Sequence, residues 1–307
     1  MEPDLIFSHA DVDGLCSAAL LLSRFPKAKI FFTKPVSLFF DLKYRKEKNI
    51  IIADIALNKR DIPKILKELK KRNFLYFDHH PYTNLKLPEN CIVADVSTSE
   101  SVYKYFQKDI PKEQVWTALY GAIADYCADT EFVKSNLKDW DVRSLYFEVS
   151  TLVLGIKMKE FSNYNVKRDI VKALASGKTP SEIPGLVLAA KKAVAEEFKL
   201  YELVKKKAAK LSGLGYFLYD EYFGFRGPAA LFAATATDSV LGVSVFKVKG
   251  FLDVTLRSRK SLPLNDLAEK AAEAVGGSGG GHPEAAGARI PGNRLEEFLS
   301  ILSKLYR

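Results

Sequence analysis

The sequence predicts an α/β protein of two domains joined by a helical connector, and three observations carry that expectation. Short apolar runs rich in Ile, Val and Phe alternate with helical stretches through the first third of the chain. A long helical region follows, and a second set of strand-like runs begins near residue 215. At 307 residues the chain has room for about two domains of roughly 100 to 200 residues each.

Taken in order, "DLIFSH" (4 to 9) reads as a strand and "GLCSAALLLSRF" as a helix. "KIFFTKP" and "NIIIADI" (49 to 55) are strands, "IPKILKELKKR" is an amphipathic helix, and "NFLYFDHH" (73 to 80) and "CIVADV" are strands again. These strands are apolar throughout, the pattern of a largely parallel sheet flanked by helices on both faces. From about 99 to 212 the spacing is helical, in "EQVWTALYGAIADYCAD" and "DWDVRSLYFEVSTLVLGI". "SEIPGLVLAAKKAVAEEFKLYELVKKKAAKLSG" reads as one long helix stopped by glycine. After "GYFLYD" (215 to 220), "LGVSVFKVKGFLDVTLRSR" alternates along two strands around a turn at Lys249 and Gly250. "PLNDLAEKAAEAV" and "RLEEFLSILSKL" close the chain as helices. The expected boundaries are 1–180 for the first domain, 181–214 for the helical connector and 215–307 for a smaller C-terminal α/β domain.

Composition narrows the function classes. With 48% hydrophobic and 27% charged residues the chain is a folded globular protein and not a disordered one. No apolar run reaches the roughly 20 residues of a membrane span, and "MEPDLIFSHA" lacks the layout of a secretory signal, so the expected location is cytoplasmic. Cys16, Cys91 and Cys127 are odd in number and not spaced as zinc pairs, which argues for buried thiols over a disulfide framework. Only two glutamines among many Lys and Glu residues give the surface a thermophilic flavour. The net charge is +9, and residues 156 to 215 hold thirteen Lys and Arg against six Asp and Glu. Such a segment suits an acidic polymer such as nucleic acid, and equally a solvated helical face.

The chain has four histidines, and each stands in an unusual setting. His9, Asp11 and Asp13 follow the first strand, Asp54 ends "NIIIAD", and Asp78, His79 and His80 end "NFLYFD". Sites in parallel sheets lie at the carboxyl ends of the strands, so all three groups fall on one edge. Asp125 in "YGAIADYCAD", with Asp129 competing four residues on, adds a carboxylate from a helix end. Converging carboxylates repel one another and are costly to desolvate unless cations neutralise them. Mixed imidazole and carboxylate ligands suit manganese, zinc or iron better than calcium, and their number suggests two ions. Two metals sharing a hydroxide can clamp both oxygens of an in-line displacement at phosphorus, which is phosphoester hydrolysis. A lone Asp after a strand is more often a cap or turn residue, so the argument rests on the three groups together.

"SHADVDG", "IIADIA", "YFDHHP" and "GAIADY" resemble, in order, the four motifs of the DHH phosphoesterase superfamily. "GGSGGGHPEAAGARI" resembles the glycine-rich signature of its associated C-terminal domain. The short first motif looks like that of the RecJ-like exonucleases and the nanoRNase and phosphoadenosine-phosphate phosphatase group. The lysine-rich compact chain looks most like archaeal RecJ-like nucleases of the Hef-associated type. The resemblance gives His9 and Asp11 to one manganese, Asp13, His79 and Asp125 to a second, and Asp54 to both. Magnesium or another divalent metal is an alternative. Asp78 would then fix an imidazole and His80 would face the scissile phosphate.

In the C-terminal domain, consecutive Gly279, Gly280 and Gly281 let backbone amides approach a phosphate, with His282 beside them as a donor. The resemblance assigns Arg257 and Ser258 of "TLRSRKS" to the substrate backbone or terminal phosphate. "STSES" (97 to 101) caps a helix and is a second place for a phosphate; Phe223, Phe225 and Arg226 form either a base-stacking platform or core. The expected activity is a manganese-dependent exonuclease that releases mononucleotides from single-stranded DNA or RNA, in the 3′ to 5′ direction, in a cleft shared by two domains. The alternatives are a nanoRNase or phosphoadenosine-phosphate phosphatase acting on short substrates, and a non-catalytic module binding a replication or repair protein. A homo-oligomer is compatible with each.

Overall fold

A computed structural model describes residues 1–58, 60–80, 82, 86–211, 213–219 and 224–306. The chain divides into two compact units, Met1–Ala193 and Val194–Arg307.

The first unit begins with β1 (Leu5–Ser8), α1 (Val12–Arg24), β2 (Lys29–Phe32), α2 (Leu38–Tyr44), β3 (Asn49–Ala53), α3 (Ile62–Leu69), β4 (Asn73–Asp78) and β5 (Cys91–Val93). Its five strands are parallel, in the order β2-β1-β3-β4-β5. The chain lays β2 on one side of β1 and β3 on the other, so the carboxyl ends of β1 and β3 form the reversal point where open α/β sheets bind ligands. The apolar runs face both ways. Ile6, Ile51 and Phe77 pack with α1 and the later helices, while Phe7, Ile50, Ile52 and Tyr76 pack with α2 and α3. Each fully buried Ile contributes roughly 1.5–3 kcal/mol relative to exposure, which fixes the sheet as the rigid base of the site.

Five further helices complete the described part of this unit before the long connector helix: α4 (Thr98–Phe106), α5 (Val115–Ala124), α6 (Glu131–Leu137), α7 (Val142–Gly155) and α8 (Tyr164–Ala175). The division between the units falls within α9 (Leu186–Lys207). The long helix expected to run to the glycine stops earlier, at Lys207. Residues Ala209–Leu211 form β6, which pairs antiparallel with β7 (Leu214–Tyr219). Gly213, at φ +87°, turns this hairpin and caps no helix.

The second unit continues with α10 (Arg226–Ala236), β8 (Leu241–Val248), β9 (Phe251–Ser258), α11 (Leu264–Ala274), β10 (Ser278–His282), β11 (Ala285–Pro291) and α12 (Leu295–Tyr306). Its sheet is mixed, in the order β10-β11-β9-β8-β7-β6, with β7 and β8 parallel and the other pairs antiparallel. The β8–β9 turn lies at Lys249 and Gly250 as expected, and Gly250 takes φ +78°. The glycine cluster is not a loop: Gly279, Gly280 and Gly281 lie inside β10. At Gly279 a Cβ would stand 2.3 Å from the Ala268 carbonyl oxygen, so the bare backbone is what lets α11 close on the sheet.

Candidate metal centre

Three strand ends and one helix end deliver the site in the first unit. His9 follows β1, and Asp11 is the N-cap of α1, accepting from the Gly14 amide at 3.0 Å. His9 Nδ1 and Asp11 Oδ2 are 2.5 Å apart, and Asp54 Oδ2 lies 3.9 Å from the same nitrogen. The chain can make this approach only because residue 14 is glycine. A Cβ there would meet the His9 carbonyl oxygen at 2.3 Å and Asp54 Oδ2 at 3.0 Å.

Asp54 is the centre of the group. It follows β3 in left-handed backbone, φ +59°, a conformation costing a non-glycine residue on the order of 1 kcal/mol and found at functional sites. Its amide donates to the Phe77 carbonyl, which ties the strained residue to β4. Asp54 Oδ1 lies 3.5 Å from His79 Nε2, and Oδ2 is buried without a hydrogen-bond partner. Burial pushes the Asp54 carboxyl well above its ordinary range, and the charges of Asp11 and Asp13 add to that.

Asp125 arrives from the C-terminal end of α5 and places Oδ2 3.1 Å from His79 Nε2. A carboxylate at a helix C-terminus faces the negative end of the dipole, which makes a neighbouring cation favourable. Tyr126, at φ +62°, turns the chain away immediately afterwards. Asp129 is fully exposed and pairs with Lys134 at 3.6 Å, so of the two competing aspartates it is Asp125 that reaches the histidine.

Asp78 and His80 form a separate couple. Asp78 is wholly buried; Oδ1 meets His80 Nδ1 at 2.9 Å, while Oδ2 accepts from the Tyr76 hydroxyl at 3.0 Å and from Tyr82. Tyr82 in turn accepts from the Leu57 amide at 2.9 Å. With both oxygens engaged, Asp78 orients the imidazole. Burial opposes its ionisation, but the bonds from His80 and Tyr82 hold it below the usual carboxylate range. The two tyrosines carry no motif in sequence. Only the same-face spacing of residues 76 and 78 hints at one of them.

Asp13 is held differently from the other expected ligands. Its two oxygens accept the Thr98 amide at 2.8 Å and the Ser99 amide at 3.0 Å, in the first turn of α4. Two amides of "STSES", those of Thr98 and Ser99, therefore serve Asp13. Ser97 does cap the helix, accepting from the Glu100 amide at 3.2 Å.

The ligand atoms gather into overlapping groups: His9, Asp11 and Asp54; Asp54, Asp78, His79 and His80; and His79, Asp125 and Cys127. Cys127, which reads in sequence as an inert packed thiol, lies instead beside His79 and Asp125. It donates to the Asp125 carbonyl at 3.5 Å, and its thiol is pushed up to about 12 by burial and by Asp125. Oxygen and imidazole donors, a buried unpartnered carboxylate oxygen and a strained pivot together fit one or more divalent cations.

In the second unit, His282 ends β10, and Arg257 and Ser258 end β9. The Arg257 guanidinium packs over Gly227 at the start of α10, where a Cβ would lie 2.9 Å from Nη2, and Nη1 donates to the Leu256 carbonyl at 2.9 Å. The Ser258 hydroxyl donates to the Val240 carbonyl at 3.3 Å. Phe225 is only 3% exposed and belongs to the core, so it stacks on no base. Arg226 pairs with Asp253 at 3.1 Å and lies over the Phe246 ring; Phe223 is outside the described residues. The lysines Lys191, Lys192, Lys205, Lys206 and Lys207 are exposed on α9, whereas Lys210 lies on β6 and donates to the Asp238 carbonyl.

The parallel sheet carries a His–Asp edge that fits divalent cations, and the family matches give the class of protein. Residues 5–127 match the N-terminal domain of the DHH family, and residues 216–307 match the DHHA1 domain. The chain belongs to the DHH phosphoesterase superfamily. No curated protein sequence matches it. Among solved structures it resembles the pGpG-specific phosphodiesterase PggH of Vibrio cholerae, with 17% identity, TM-score 0.60 and 98% of both chains covered. It also resembles RecJ of Thermus thermophilus, solved with Mn2+, at 16% identity and TM-score 0.68, over 98% of this chain and 51% of that one. CDC45 of Entamoeba histolytica shares the fold at 10% identity and TM-score 0.60, covering 99% of this chain and 95% of that one. Among the described residues, no helix is long and apolar enough to cross a membrane.

Proposed function

We propose that the protein is a manganese-dependent exonuclease that hydrolyses phosphodiester bonds of single-stranded DNA or RNA and releases mononucleotides. The observation that carries this is Asp54: a strained, buried carboxylate with one unpartnered oxygen, set between the His9–Asp11 and His79–Asp125 pairs. Bound divalent metal supplies Lewis-acid activation of water and neutralises charge at phosphorus. His9, Asp11, Asp13, Asp54, His79 and Asp125 are assigned to hold two ions. Asp78 keeps the His80 ring turned by its Nδ1 contact, and His80 is assigned to face the scissile phosphate. Arg257, Ser258 and the Gly279–His282 strand are assigned to the substrate, with His282 donating to the phosphoryl oxygens. The direction, 3′ to 5′, rests on the sequence's resemblance to archaeal RecJ-like nucleases.

A second reading is favoured by one observation: the chain matches PggH, named for a dinucleotide substrate, over 98% of both chains. Under it the substrate is a short oligonucleotide. One assay separates the two. End-labelled DNA and RNA strands of several lengths are incubated with manganese; a ladder of progressively trimmed products is expected from the exonuclease. Turnover confined to dinucleotides selects the second reading, and intact strands of every length overturn both.

A further inference from the structure

Two lysines from separate elements stand beside the His9–Asp11 end of the cluster. Lys34 lies just beyond β2, whose register pairs Phe32 with Ser8, so continuing the parallel register sets Lys34 level with Ala10. The Thr33 amide donates to the Ser8 carbonyl at 3.0 Å, which holds the two segments together at the strand ends. Lys167 comes from α8, anchored on β2 by the Phe32–Tyr164 ring contact at 5.6 Å, one helical turn before it. Its ammonium donates to the Ala10 carbonyl at 2.5 Å, between the two expected ligands His9 and Asp11.

The register and the Ala10 contact together point to a phosphate subsite: we propose that Lys34 and Lys167 hold the phosphate next to the scissile one, so that the substrate is a chain with at least two phosphates. This rests on the phosphodiesterase reading and names its substrate class. Burial disfavours the Lys167 ammonium, Asp11 favours it, and the charge of Lys34 disfavours it further. Like charges brought to one rim favour an anion between them. Asp11 answers part of that charge and is also engaged by His9 and the Gly14 amide. An ammonium on a flexible stem has three donors; Lys167 spends one on Ala10 and retains two for phosphate oxygens.

The test is binding of the dinucleotides ApA, pApA and ApAp to the full-length protein in calcium, by calorimetry, with manganese-dependent hydrolysis recorded separately. The wild type is expected to bind at least one of the two-phosphate ligands about ten- to hundredfold more tightly than ApA. Lys34→Ala, at an exposed position that leaves the fold intact, should collapse that ratio toward one, and Lys34→Arg should restore it. Lys167→Gln, which keeps an N–H for the Ala10 carbonyl, should also collapse it. Equal wild-type affinity for all three ligands overturns the subsite, as does a preference that survives in both variants. Absent hydrolysis with a lysine-dependent preference intact would reject the enzymatic reading and keep the subsite.

Discussion

Asp54 sits in left-handed backbone with a buried, unpartnered oxygen, and both features cost stability unless a cation repays them. Replacing it by alanine should lower manganese-dependent turnover by at least about a thousandfold, on the order of 4 kcal/mol. Near-normal turnover would remove Asp54 from the centre of the account. Its titration gives a second outcome, in chelator. The folded carboxyl lies well above its unfolded value of 3.8. The native state therefore binds the extra proton, and this contribution is complete below 3.8 and lost as pH rises through the folded value. The melting temperature of chelated wild type should fall more steeply with rising pH than that of Asp54→Asn; parallel curves would contradict it. The residue's position was legible as a strand-end aspartate, because β-rich runs end where polar residues begin. Its left-handed φ was not, since no local pattern in "IIADIA" marks it.

At the level of elements, α1 starts so close to the β1 and β3 ends that Gly14 has no room for a side chain. Gly14→Ala should destabilise the protein by about 1–3 kcal/mol and weaken manganese binding together, because relieving the clash moves His9 or Asp54. Loss of stability with unchanged metal affinity would separate the helix start from the site. The strands β1, β3 and β4 were legible because parallel strands are apolar on both faces. The end of α9 was not, since "KKKAAKLSG" reads as helix until β6 finds its partner in β7. Likewise "GGSGGGH" gives no periodicity, and only pairing with β11 makes it a strand. The Asp13 contacts with the first turn of α4 span 85 residues of sequence and leave no local signature. On α9, neutralising Lys191, Lys192, Lys205, Lys206 and Lys207 should weaken binding of long strands and flatten its salt dependence more than it affects dinucleotides. Equal effects on both lengths would make the face merely solvated.

For the whole molecule, the proposed function puts the metal ligands in the first unit and Arg257, Ser258 and His282, further substrate contacts, in the second. His282→Ala should then slow turnover about 10² to 10³-fold, the usual cost of losing one preorganised donor, while manganese affinity stays within a few-fold. Unchanged turnover with a lowered melting temperature would make His282 a packing residue of β10. The central claim, a two-ion centre pivoting on Asp54, is tested most directly by counting manganese. Equilibrium titration of the chelator-stripped protein, followed by the electron paramagnetic resonance of free Mn2+, should give two bound ions per chain in the wild type. Asp54→Ala should lose at least one of them. No specific binding in the wild type, or two ions retained by Asp54→Ala, would contradict the account.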